Sequence, residues 1–140
     1  MNTKILVMDG QGGQLGSQIV KELLAKFSDI QITAVGTNAV ATASMMKAGA
    51  SKAATGENPV IVACRKADII IGPIGIVIAD ALMGEVTPAM AVAVGQSDAA
   101  RILIPMNKCE NMVAGVSNLS TSVLIQDAMS KVGQYISNHC

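Results

Sequence analysis

The spacing of apolar positions changes several times along the chain, and each change marks an element. Ile5-Leu6-Val7-Met8 is an unbroken apolar run, the pattern of a strand buried on both faces. Leu15, Ile19, Val20, Leu23, Leu24 and Phe27 then recur at helical spacing with one inward face. A second strand is expected over Ile30 to Val35, then an Ala-rich helix to about Ala48 with Gly49 as its C-cap. Ser51 to Ala54 reads as a short edge-like strand. Asn58 as N-cap and Pro59 as first helical residue open a helix to about Ala67. Asp68 to Ile71 is another buried strand, followed by helical material interrupted at Gly84 and restarted by Thr87-Pro88 through Val94. Arg101 to Ile104 and Met112 to Val116 predict fifth and sixth strands. Val123, Leu124, Ala128, Met129, Val132 and Ile136 predict a final amphipathic helix.

Short buried strands alternating with helices predict an α/β fold, a three-layer Rossmann-like domain with a mainly parallel sheet of five to six strands. No internal repeat, low-complexity segment or linker interrupts the pattern, so residues 1–140 are expected to form a single domain.

Composition narrows the class. Hydrophobic residues make up 51% and charged residues only 14%, which excludes disorder and leaves little polar material to cover a monomer. Self-association into a homo-oligomer is therefore expected. The formal net charge is zero, and one Phe, one Tyr and no Trp offer no stacking platform, so nucleic acid is not an expected partner. The opening apolar run of four residues is too short for a signal-peptide core. The longest stretch without charge, Ile30 to Met46, carries Gln31, Thr33, Thr37, Asn38, Thr42 and Ser44, so no membrane span is expected. Three widely separated cysteines fit reduced thiols in a cytoplasmic protein.

The most informative stretch is MDGQGGQLGSQIV, residues 8 to 20, with four glycines in seven positions between a strand and a helix. A helix start leaves main-chain N–H groups unpaired and carries partial positive charge, so it attracts an anion without any basic side chain. Glycine permits close approach there. The expected ligand-holding loop comprises Asp9, Gly10, Gln11, Gly12, Gly13 and Gly16, with phosphate on Gly12, Gly13 and Gly16. The alternative is a turn in which the glycines serve packing alone. Asp9 is read as a cap on the amides of Gln11 or Gly12, in preference to a cation ligand or base.

Four further loops face the same crevice if the topology holds. Gly36-Thr37-Asn38 offers small hydrogen-bonding groups for a ribose or base. Thr55-Gly56-Glu57-Asn58 reads as a helix cap. Gly72-Pro73-Ile74-Gly75 offers main-chain N–H groups and a flat apolar wall. Asn107-Lys108-Cys109-Glu110 offers Lys108 as counter-charge to a phosphate. A nucleophilic Cys109 lacks a nearby histidine in sequence, since His139 stands alone near the C-terminus. Cys64, Cys109, His139 and Cys140 lack metal-ligand spacing, so no metal site is expected. Asp80 and Glu85 read as surface positions on amphipathic helices.

The spacing Gly10-x-x-Gly13-x-x-Gly16 resembles the first loop of extended and atypical short-chain dehydrogenases over about the first 27 residues. That resemblance implies NAD(P). The second strand, however, ends in Thr37-Asn38 rather than an acidic ribose ligand, and no Tyr-x-x-x-Lys pair exists, the only tyrosine being Tyr135. A wider resemblance rests on DGQGGQLGSQIV, GTNAVATASMMKAGA, ATGENPVIV, ADIIIGPIGIVIADALMGEVTPAMA and ARILIPMNKC, running to about residue 116. These blocks are similar to a small bacterial family of unknown function found largely in anaerobic Firmicutes, which implies a Rossmann-like fold and no particular activity. Three functions follow as expectations. The first is binding of a mononucleotide or other phosphate ligand at the loop. The second is NAD(P)-dependent oxidoreduction. The third is a non-catalytic interaction or regulatory subunit.

Overall fold

A computed structural model describes residues 2–106 and 111–139. Its sheet has five strands in the order β3-β2-β1-β4-β5, and every pairing is parallel. The strands are β1 (Thr3–Asp9), β2 (Ile30–Gly36), β3 (Lys52–Thr55), β4 (Ile69–Pro73) and β5 (Ala100–Ile104). The helices are α1 (Gln14–Lys26), α2 (Ala39–Ala48), α3 (Glu57–Lys66), α4 (Pro88–Gln96) and α5 (Thr121–His139). The fold is a three-layer Rossmann-like α/β architecture.

Side-chain alternation along β1 divides the core in two. Ile5 and Val7 pack with Ile19, Val20 and Leu23 of α1 and with Ile125, Met129 and Val132 of α5. Leu6 and Met8 face the other way, onto Val60 of α3 and Met90 and Val94 of α4. All of these are buried, and each such large apolar side chain contributes roughly 1.5–3 kcal/mol. The unbroken apolar run of β1 thus reflects a strand covered on both faces.

Several ends fall where the sequence places them. Gly49 closes α2 at φ 121°, and Asn38, expected only as a hydrogen-bonding group for a ribose or base, caps its start, its Oδ1 accepting from Ala41 N at 2.9 Å. Thr87 caps α4, with Pro88 in its first turn. Three expectations are corrected. The α3 cap is Gly56, not Asn58, which lies inside the helix. Met112 to Val116 forms no strand: Gly115 has φ 82°, Val116 N donates back to Val113 O, and Met112 is 94% exposed. After β4 only a short 3-10 turn, Ile74–Val77, forms before α4. Between them Asp80, Leu82 and Met83 adopt left-handed backbone, φ 65°, 56° and 57°, which no right-handed helix accommodates.

Candidate functional site

The glycine loop lies at the carboxyl end of β1, at the point where the strand order turns outward to β2 on one side and β4 on the other. Ligands of open α/β sheets occupy such a switch point. Asp9, the last residue of β1, is only 3% exposed and turns inward. Its Oδ1 accepts from Gly10 N at 2.8 Å and its Oδ2 from Gly16 N at 2.7 Å. Asp9 is therefore a cap, but on Gly10 and Gly16 rather than on Gln11 or Gly12. With an amide on each oxygen it is not arranged as a cation ligand. Burial pushes its carboxyl above the ordinary aspartate value, the Gly16 and Gly10 amides pull it back, and the nearby charge of Glu85 adds to the rise.

The loop glycines divide by what surrounds them. Gly13 N donates to Gly10 O at 2.9 Å, and Gly13 has φ 73°. A Cβ on Gly13 would lie 2.7 Å from the Cα of Ala41, and one on Gly16 would lie 2.6 Å from Met45 Sδ and 2.9 Å from the Asp9 Cβ. These two positions are small because α2 crosses close to the start of α1. Gly10 is enclosed as well, by Thr37, Leu82 and Glu85. Gly12 differs: it is exposed, outside the left-handed region, and nothing lies within 4 Å of where its Cβ would be.

Only part of the loop's main chain is bonded within the described residues. Gly10, Gln11, Gly13 and Gly16 all donate within the chain. Among the described residues, the amides of Gly12, Gln14 and Leu15 have no acceptor. The loop carbonyls are held aside by α2, with Asn38 Nδ2 donating to Gln11 O at 3.0 Å and Ser44 Oγ to Gly12 O at 3.0 Å. Of the three amides expected to meet a phosphate, those of Gly13 and Gly16 are already bonded within the chain, and that of Gly12 is not bonded among the described residues.

Thr37 and Asn38 do meet the loop, and with it they meet Glu85, a residue expected on the surface. Glu85 reaches in from the segment before α4. Its Oε1 accepts from Gln11 N at 2.8 Å, Thr37 Oγ1 at 2.6 Å and Asn38 Nδ2 at 2.8 Å. Its Oε2 has no partner among the described residues. Burial works to raise its carboxyl, but hydrogen bonds from Thr37, Gln11 and Asn38 outweigh it and hold the carboxyl below the ordinary glutamate value. A carboxylate thus stands beside the end of β2 after all, supplied by a different element. The only sequence hint is its position next to Gly84, in a stretch with few charges.

Other expected groups do not join the site. Gly72 and Pro73 are buried within β4 and paired with Leu103 and Ile104 of β5, so they present no open wall. Gly36 is the buried end of β2, where a Cβ would lie 2.3 Å from Thr42 Oγ1. Asn107, Lys108 and Cys109 lie outside the described residues. Cys64 is buried, and burial pushes its thiol up to about 11, leaving it protonated at neutral pH. Tyr135 and His139 stack on each other along α5, on a helix that makes no part of the loop. Among the described residues, no group of three or more His, Cys, Asp or Glu side chains is placed to hold a metal ion. Nor is any described helix long and apolar enough to cross a membrane.

Comparison with known proteins gives a match over residues 4–137 to the model of a domain of unknown function, DUF3842. The chain belongs to the DUF3842 family. In this family member the match spans every element from β1 to α5, so the glycine loop and Glu85 both fall within it. No curated protein matches the chain significantly.

Proposed function

We propose that the protein binds a nucleotide, with a phosphate on the amides of Gly12, Gln14 and Leu15 and the ribose hydroxyls at Glu85. The observation that carries this reading is the pairing of two half-satisfied groups across one loop. Among the described residues, three main-chain donors at the start of α1 lack acceptors, and one oxygen of a carboxylate fixed to the same loop lacks a donor. The donors suit an anion, since the α1 N-terminus adds its partial positive charge. The carboxylate suits a diol, the task an acidic residue performs in dinucleotide sites. Asp9 does not oppose the phosphate directly, because it is buried and turned onto Gly10 and Gly16. An unmodified ribose follows from the charge of Glu85, which would repel a 2′-phosphate. A mononucleotide such as AMP and the dinucleotide NAD both meet this description, and NADP does not.

Calorimetric titration of the full chain with AMP, NAD, NADP and 2′-deoxy-AMP tests the reading. AMP or NAD should saturate at one site per chain. NADP and 2′-deoxy-AMP should bind at least about ten-fold more weakly, a difference of about 1.4 kcal/mol. Absence of saturable binding by every nucleotide would leave the glycines serving the contact between α1 and α2, as in an interaction subunit.

A further inference from the structure

We infer that a second site, remote from the glycine loop, binds a small amphipathic anion: an apolar body ending in one carboxylate. On the face of the sheet covered by α3 and α4, two helices lie over five strands, and a groove of about 630 Å³ remains between α3 and the strands β1, β2 and β3. That volume lies within the range of small-molecule sites, roughly 300–1,000 Å³. Alternate residues of neighbouring strands form its floor. Leu6 and Val35 are buried there, and Val62 and Ala63 of α3 make the facing wall.

The rim carries one sign of charge. Lys4, Lys52 and Lys66 line the groove and no acidic residue does. Lys4 is near the start of β1, Lys52 opens β3 and Lys66 closes α3, three residues before β4 begins beside Ile5. Lys4 and Lys66 therefore stand at the amino end of the sheet, opposite the glycine loop, and Lys52 stands on the outer edge, in one row with Thr33 and Leu6. None of their ammonium groups has a hydrogen bond or ion pair among the described residues. Asp68, the nearby carboxylate, accepts from the main-chain N–H of Lys4 at 2.8 Å. Gln31 beside Lys4, and Thr33 between Leu6 and Lys52, add neutral hydrogen-bonding groups on the floor. Three cations on the rim of one apolar trough, two at its amino end and one on its outer edge, complement an anionic head with an apolar tail.

Decanoate, used below its micellar concentration, is the probe. It should bind the full chain saturably and shift the amide resonances of Thr33, Ala54 and Val62. In the double variant Lys52→Glu/Lys66→Glu its dissociation constant should rise at least about ten-fold. Both lysines are exposed, so the thermal unfolding midpoint should stay at the wild-type value and certify the fold. Decylammonium should bind far more weakly than decanoate. Several results would overturn the inference: no saturable binding, equal affinity in the double variant, decylammonium binding as well as decanoate, or resonance shifts confined to other elements. Sedimentation showing two chains sealed together over this groove would also overturn it. Nucleotide titration of the glycine loop is a separate measurement and bears on neither result.

Discussion

Glu85 and Asp9 are two carboxylates bonded to one loop, and their environments displace them in opposite directions. Glu85 is held below its ordinary value, so its contribution to stability is present above the unfolded-state pKa and is lost as pH falls through the folded one. Urea unfolding at descending pH should therefore show the stability advantage of wild type over Glu85→Gln shrinking across the acid range below the ordinary glutamate value. A constant difference across that range would contradict the hydrogen-bond assignment. Asp9 runs the other way: its pKa is raised, chiefly by burial, so its ionisation costs stability as pH rises through the folded value. Its two acceptor oxygens still matter. In Asp9→Asn one of the Gly10 and Gly16 amides would face an NH₂ group, and unfolding should register a loss of about 1–3 kcal/mol. Of these two residues only Asp9 was legible as a cap in the sequence. Glu85 was not, because its partners Gln11 and Thr37 lie 74 and 48 positions away, and apolar spacing carries no information about such pairs.

At the scale of elements, apolar runs and spacing located β1, β2, β4, β5, α1 and α5, because each buries side chains against one of two cores, whereas β3 buries no residue and shows only as a short edge-like strand. The pattern failed where backbone sign, not hydrophobicity, decides. Met112 to Val116 is apolar enough for a strand but turns at Gly115, and the segment before α4 is bent by Asp80, Leu82 and Met83. Left-handed backbone costs a non-glycine residue roughly 1–2 kcal/mol. Met83 is 94% exposed, so little is lost by removing its side chain. Met83→Gly should raise stability by about 0.5 kcal/mol, the relief of strain exceeding the added unfolded-state entropy. Leu82 shares the strain but is buried against Gly10 and the second core, and no such gain is expected from Leu82→Gly. At the junction of α1 and α2, Gly13→Ala combines left-handed backbone with a contact on Ala41 that cannot move aside. A loss of at least about 2 kcal/mol in thermal or urea unfolding is expected.

Across the whole molecule, strand order and the glycine loop bring β1, β2 and the segment before α4 to a single edge of the sheet. The sequence pattern could place the loop at that edge, since parallel strands with helical crossovers put every strand-to-helix turn on the same side. It could not show which of the loop's amides are bonded within the chain, because that depends on side chains from Asp9 and Glu85. Gly12 resolves the two roles that glycines play here. Unlike at Gly13 and Gly16, a Cβ there would meet nothing within 4 Å, so Gly12→Asp should change stability by less than about 0.5 kcal/mol while setting a negative charge in the proposed phosphate seat. The most direct measurement is calorimetric titration of AMP and NAD into wild type and Gly12→Asp, with unfolding curves of both. Saturable binding by wild type, lost in a variant of unchanged stability, is the expected result. Equal binding by the two proteins, or none by either, would contradict a phosphate seat at the start of α1.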